Sequence, residues 1–212
     1  MTRTPANTAP HAAVANTNGG AGRLIVLSGP TAVGKGTVEA ALRAAHPDIW
    51  VSVSATTRDP RPGEIDGINY LFVNEEEFAR MESRGEFLET ALVHNMAHYG
   101  TPLKPVLQHL ADGIPTILEI DLQGARRVKQ RASDLNLDVL TVFLAPPSFD
   151  ELVHRLIGRG TENAEQRAKR LETAKIELAA EPEFDVVIVN NTVEQAAKEL
   201  WHVIAKEYGI AE

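Results

Sequence analysis

An α/β fold with a mostly parallel central sheet flanked by helices is predicted by three observations in the 212-residue sequence. From Arg23 onward, short apolar runs alternate with amphipathic ones, the pattern of strand and crossover helix. Several of the apolar runs are continuous Val/Ile/Leu stretches, as in strands covered on both faces. The first of them runs directly into a glycine-rich loop and then a helical pattern.

Taken in order, residues 1–21 hold Ala, Thr, Asn and Pro, no acidic residue and no periodic apolar face, and read as a disordered tail. The apolar piece at 12–15 is too short for a signal-peptide core, and Arg3 is the tail's only arginine, unlike a transit peptide. Strands are expected at 24–27, 50–53, 70–73, 116–120, 139–144 and 186–189. Helices are expected at 35–45, 75–84, 102–111, 124–131, 149–157, 162–180 and 193–207. Between about 49 and 99 the strands shorten and turn signals accumulate at Pro60, Pro62, Gly63 and Asp66-Gly67, which predicts a small inserted subdomain. The expected organisation is one domain over 22–208, with a core of 22–52, 102–148 and 182–208, an insert at about 53–101 and a helical lid at about 149–181.

Bulk properties narrow the function. Hydrophobic residues make up 43% and charged residues 24%, ordinary for a globular protein. No run approaches the roughly 20 apolar residues of a membrane helix, so no membrane partner is expected. Cysteine is absent, which excludes disulfides, thiolate metal sites and cysteine nucleophiles and fits a cytoplasmic location. A net charge of −8 argues against nucleic acid or anionic lipid. An anionic ligand therefore needs a local convergence of cations.

The loop Ser28-Gly29-Pro30-Thr31-Ala32-Val33-Gly34-Lys35-Gly36-Thr37 lies between strand and helix, the context a P-loop NTPase fold requires. Glycines let successive backbone N–H groups turn inward around phosphate oxygens, and the helix N-terminus adds partial positive charge. Lys35 supplies a point charge for the β- and γ-phosphates of ATP. Gly36 stands where the strict pattern has Ser or Thr, and Thr37 follows it. This Lys-Gly-Thr version is similar to that of several nucleoside monophosphate kinases, which implies that Thr37 meets Mg²⁺ directly or through water. A second acidic element, Glu119-Ile120-Asp121, closes an apolar strand at its carboxyl end, where ligands of open α/β sheets bind, and Asp121 can meet Mg²⁺ or its waters.

Arg58 and Arg61 flank a rigid turn, and two planar guanidiniums there can grip one phosphate from two sides. The block 54–70, with Phe87-Leu88-Glu89, Tyr99-Gly100-Thr101, Ile120-Asp121-Leu122-Gln123-Gly124 and 155–170 in that order, closely resembles guanylate kinase. The resemblance covers essentially everything from Gly22 to the C-terminus. It implies that the insert binds GMP, with Arg58, Arg61, Tyr70 and Tyr99 on the phosphate and Ser54, Glu89 and Thr101 at the base. Glu119 and Asp121 are placed with the same site. Guanine presents N1–H and a 2-amino group side by side, two donors one carboxylate accepts together, whereas adenine offers an acceptor at N1. A site built on such a pair can reject the mismatched base by as much as ~10⁴-fold. Two features depart from the family pattern: Glu119 replaces a usual Asp, and the segment 90–98 is one residue longer and carries His94 and His98.

Arg155 and Arg159 are four apart on one helical face, Gly160 and Thr161 fit a helix end and the next helix start, and Arg167 and Arg170 follow. This arrangement resembles the lid of nucleoside monophosphate kinases, which implies charge neutralisation near the moving phosphoryl group by Arg155, Arg159 and Arg170. Closure also excludes water as a competing acceptor. Asn190, ending the run 187–190, matches a family position that contacts adenine. The expected reaction is ATP + GMP giving ADP + GDP with Mg²⁺ as cofactor, and no general base is assigned. A peptide-binding scaffold of the same fold, a kinase of a phosphorylated sugar and a generic NTPase switch are the rivals. The intact Lys35, the set Ser54, Glu89 and Thr101, and the arginine pair with the lid stand against them in turn.

Overall fold

The computed structural model describes residues 22–93, 96–157 and 164–211. Five parallel strands form the central sheet in the order β2-β7-β1-β8-β9. These are β1 (Leu24–Ser28), β2 (Trp50–Val51), β7 (Thr116–Glu119), β8 (Val139–Ala145) and β9 (Val186–Val189). A second, mixed sheet of four strands is ordered β4-β3-β6-β5, from β3 (Ala55–Thr56), β4 (Leu71–Phe72), β5 (Phe87–Val93) and β6 (Ala97–Pro102). Among the described residues the helices are α1 (Lys35–Ala45), α2 (Glu75–Ser83), α3 (Leu103–Ala111), α4 (Leu122–Leu135), α5 (Phe149–Ile157), α6 (Ala164–Ala179) and α7 (Val193–Tyr208). None is long and apolar enough to cross a membrane.

β1 shows why the parallel sheet was readable. All five of its residues are buried, and the period of two sends them to opposite cores. Ile25 and Leu27 join a cluster with Val38 and Leu42 of α1, Leu152 of α5 and Leu200 and Ile204 of α7. Leu24 and Val26 join the other, with Val106 and Leu110 of α3 and Ala125 and Val128 of α4. Burying one such aliphatic side chain contributes about 1.5–3 kcal/mol. The second sheet has its own small core, Ala55, Phe78 and Phe87, with the two Phe rings stacked at 4.7 Å.

Four helix starts among the described residues are fixed by side chains, α5 by Ser148, whose Oγ accepts from Glu151 N at 3.1 Å. Asn74 accepts from Glu77 N at 2.8 Å, Asp121 from Gly124 N at 2.7 Å and Thr192 from Gln195 N at 3.2 Å, each satisfying an amide that the helix leaves unpaired. Asp121 starts α4 two residues before the expected position at 124 and α4 continues to Leu135. The larger departure is the hairpin β5–β6, seven and six residues long, which the sequence reading left among shortened strands. Its polar residues, Glu89, Thr90, His98 and Thr101, break the apolar pattern that marks a strand. The tail 1–21 and His94 lie outside the described residues.

Candidate active site

The loop between β1 and α1 is built for close approach. Gly29 has φ 149°, and a Cβ there would stand 2.3 Å from the carbonyl oxygen of Leu144 in β8. Backbone on both sides leaves nothing free to move. Gly29→Ala is expected to destabilise the protein by about 3 kcal/mol, the sum of left-handed strain and an overpacked contact, and a denaturant melt reads it. Downstream, Ala32 (φ 67°) and Gly34 (φ 100°) are also left-handed and turn the chain into α1, where Val38 N donates to Gly34 O at 3.0 Å. A non-glycine residue held in that region is strain of the kind kept at functional loops.

Lys35 lies within this ring, its Nζ donating to Gly29 O at 2.7 Å. Burial pulls its pKa down, and the carboxylates of Glu119, Glu177 and Asp121 pull it back up. One cavity of about 240 Å³ joins Lys35 and Thr31 to Ser54, Tyr70, Glu89, Tyr99, Glu119 and Asp121. Residues far apart in sequence, expected to hold donor phosphates and acceptor nucleotide, thus line one space.

On the far wall, β5 and β6 are in register at Glu89 and Thr101, and Thr101 Oγ1 donates to Glu89 Oε1 at 2.8 Å. Both side chains are buried, Glu89 at 7% exposure. Burial pushes the Glu89 carboxyl up to about 7, partly opposed by the Thr101 hydrogen bond and assisted by Asp121. Gly124 of α4 leaves room for it, since a Cβ there would press within 3.3 Å of Glu89 Oε2 and 3.2 Å of Asp121 Oδ1.

At the other end of the cavity, Arg58 and Arg61 share Glu64, Arg58 through its guanidinium and Arg61 through its backbone N–H at 2.7 Å. The Arg58 guanidinium donates twice to Glu64, at 2.8 and 2.9 Å, and its Nε donates to Tyr99 Oη at 3.1 Å. Arg58 holds the Glu64 carboxyl down at about 2, helped by the Arg61 backbone N–H. The Tyr70 and Tyr99 rings meet edge to face at 5.8 Å, and Arg58 lies over Tyr70 at 5.1 Å. The Arg61 residue is exposed on the turn beside this group.

A second cavity, of about 520 Å³, is lined by Ala32, Gly34 and Thr37 of the loop and α1, with Arg155 and Asn190. Arg155 Nη1 and Asn190 Nδ2 both donate to Val33 O, at 3.1 and 2.8 Å, which ties α5 and the end of β9 to the loop. Thr37 and Asp121, expected together on a metal, line different cavities. Arg170 is half-buried on α6, while Arg159, Gly160 and Thr161 lie outside the described residues.

Three acidic residues at the site were not singled out by sequence. Glu64 was quoted only as the end of the arginine turn. Glu39, one helical turn after Lys35, adjoins Glu119; burial raises the Glu119 pKa, Lys35 opposes this and Glu39 adds to it. The Lys35/Glu39 spacing of four was a usable signal. Glu177 reaches the loop from α6, 146 residues from Thr31, and no local pattern announces it.

A family model described as guanylate kinase matches residues 21–207. A guanylate kinase of Bifidobacterium longum is 76% identical over 190 residues, covering 90% of this chain and 97% of that protein. One from Frankia casuarinae is 59% identical over 177 residues, covering 84% and 94%. The crystal structure of guanylate kinase from Anaplasma phagocytophilum matches with a TM-score of 0.71 and 33% identity, covering 90% of this chain and 88% of that one.

Proposed function

The chain belongs to the guanylate kinase family and is an ATP:GMP phosphotransferase, and from that premise we propose which of its residues do the work. The observation that carries the assignment is one cavity lined by Lys35 and by Glu89, whose carboxylate accepts from buried Thr101. In this reading 53–101 forms the GMP-binding part and 149–181 the lid.

Backbone N–H groups of the loop from Gly29 to Thr37, with the Lys35 ammonium, hold the ATP phosphates, and Asn190 serves the adenine side. Glu89 accepts the two guanine donors while Thr101 fixes its orientation, and Ser54 completes the base site. Arg58, Arg61, Tyr70 and Tyr99 hold the GMP phosphate, whose oxygen is already a competent nucleophile. Phosphoryl transfer asks for alignment and charge neutralisation, which Arg155, Arg159 and Arg170 supply as the lid shuts out water.

The donor set suits Mg²⁺. Among the described residues no three His, Cys, Asp or Glu are grouped to cage a metal, and Mg²⁺ characteristically takes one or two carboxylates plus substrate phosphates and waters. Asp121, with Glu119 beside it at the Lys35 cavity, is the proposed carboxylate partner, and Thr37 serves from the donor-nucleotide side. When bound, Mg²⁺ neutralises charge on the β- and γ-phosphate oxygens.

A coupled ADP-release assay with GMP, dGMP, AMP, CMP, UMP and ribose 1,5-bisphosphate tests the acceptor assignment; turnover of AMP or the sugar at the GMP rate would overturn it. pH gives a second check. A carboxyl raised to about 7 binds its proton more tightly in the folded chain. Its stabilising contribution is full below the unfolded pKa and is lost as pH rises towards about 7. GMP needs the ionised form, so KM for GMP is expected to rise roughly tenfold per pH unit below about 7. The Glu89→Gln variant, titrated in parallel, should lack that component and so separate it from ionisation of the GMP phosphate.

A further inference from the structure

The Glu177 carboxylate occupies an unusual place. It stands on α6, yet Thr31 N–H of the phosphate loop donates to its Oε2 at 2.8 Å. It lines the same cavity as Lys35 and interacts with the Lys35 charge. Loop amides of this kind suit anionic oxygens, and a carboxylate oxygen has the sign and acceptor geometry of a phosphate oxygen. Arg170 lies seven residues earlier on α6, two helical turns, so it shares a face with Glu177.

Resting on the ATP-binding reading of the loop, we propose that Glu177 is an internal occupant of the phosphate cradle, displaced by an ATP phosphate, and so a determinant of ATP affinity and of the position of α6. A terminal phosphate and a carboxylate repel at hydrogen-bond distance and compete for the same N–H and the same ammonium. ATP therefore binds best when Glu177 has withdrawn, and its withdrawal frees α6 from the loop. Burial raises the pKa of Glu177, opposed by the Thr31 hydrogen bond and the Lys35 charge, the same contacts a phosphate oxygen would take. The apparent ATP affinity is lowered by the fraction of molecules in which the carboxylate is in place.

The sign of the effect separates this role from a structural tie. In Glu177→Gln the side-chain amide oxygen still accepts from Thr31 N–H, but the charge is gone. Calorimetric titration of the GMP-free enzyme with ATP should show Kd reduced by about 5- to 10-fold relative to wild type. GMP affinity should change much less than ATP affinity. Glu177→Ala should tighten ATP likewise and, by hydrogen exchange, should speed exchange of the Thr31 amide in the free protein, with ATP restoring protection. Unchanged or weaker ATP binding in Glu177→Gln would overturn the proposal, whatever the alanine variant does. Lys35→Ala, run alongside, keeps the two ideas apart. If it leaves ATP affinity intact, the loop assignment fails; if it abolishes binding while Glu177→Gln has no effect, only the role of Glu177 fails.

Discussion

Lys35→Ala is expected to lower kcat by roughly 10³-fold or more, the scale of removing a cation aimed at charge in a phosphoryl-transfer transition state. Nothing else described in the loop replaces it. Its Nζ sits on Gly29 O inside the ring of loop amides, and the acids Glu119, Glu177 and Asp121 surround it. Without the ammonium those three carboxylates face one another across the place where an anionic ligand must arrive, so ATP affinity should fall together with kcat. Stability should fall too, because a compensating charge has been taken from a buried acidic group. Lys35→Arg keeps that charge but not its shape, since a planar fork does not fit a seat made for a point charge. It should recover stability and little turnover. Steady-state kinetics with a thermal melt read both, and near-normal turnover in Lys35→Ala would remove the phosphate-loop assignment.

Glu89→Gln carries the next largest effect. Thr101 Oγ1 donates to Glu89, so the glutamine amide would turn its oxygen toward Thr101 and aim its NH₂ at the base site. Guanine would then meet a donor with two donors. A buried mismatch of that kind is expected to lower kcat/KM for GMP by roughly 10²- to 10⁴-fold. Inosine monophosphate lacks the 2-amino group and should be handicapped against GMP in the wild type, with the difference shrinking in the variant. Unchanged GMP kinetics would refute the role of Glu89.

The parallel sheet was legible because β1, β7, β8 and β9 are short, mostly aliphatic runs whose residues chiefly pack, Glu119 at the end of β7 excepted. The hairpin β5–β6 was not, because it does two jobs at once. Phe87, Leu88 and Ala91 are buried while Glu89 faces the cavity, so the alternation of a half-buried strand is interrupted where the site begins. Gly124 misled the reading of α4 for a similar reason. It reads as a helix boundary, yet it sits inside the first turn, where a Cβ would press on the carboxylates of Glu89 and Asp121 at 3.2–3.3 Å. Lys35 was named from its loop and Glu89 and Thr101 from the family resemblance; Lys35 and Glu89 line one cavity, and Thr101 donates to Glu89. Arg58 was singled out by its turn, but its bond to Glu64 depends on how that turn closes, and the contact of Glu177 depends on the whole sheet between α6 and the loop.

The Arg58–Glu64 pair also bears on which anions linger. A guanidinium gripped twice by a carboxylate of its own turn shows little net charge to the solvent, so orthophosphate or sulfate gains little by settling there. A nucleoside monophosphate arrives with its base as well, and what it gains at the opposite wall offsets the work of joining or loosening that pair. On the proposed role of Arg58 at the GMP phosphate, such a muted arginine would favour ligands that reach both ends of the cleft over small free anions.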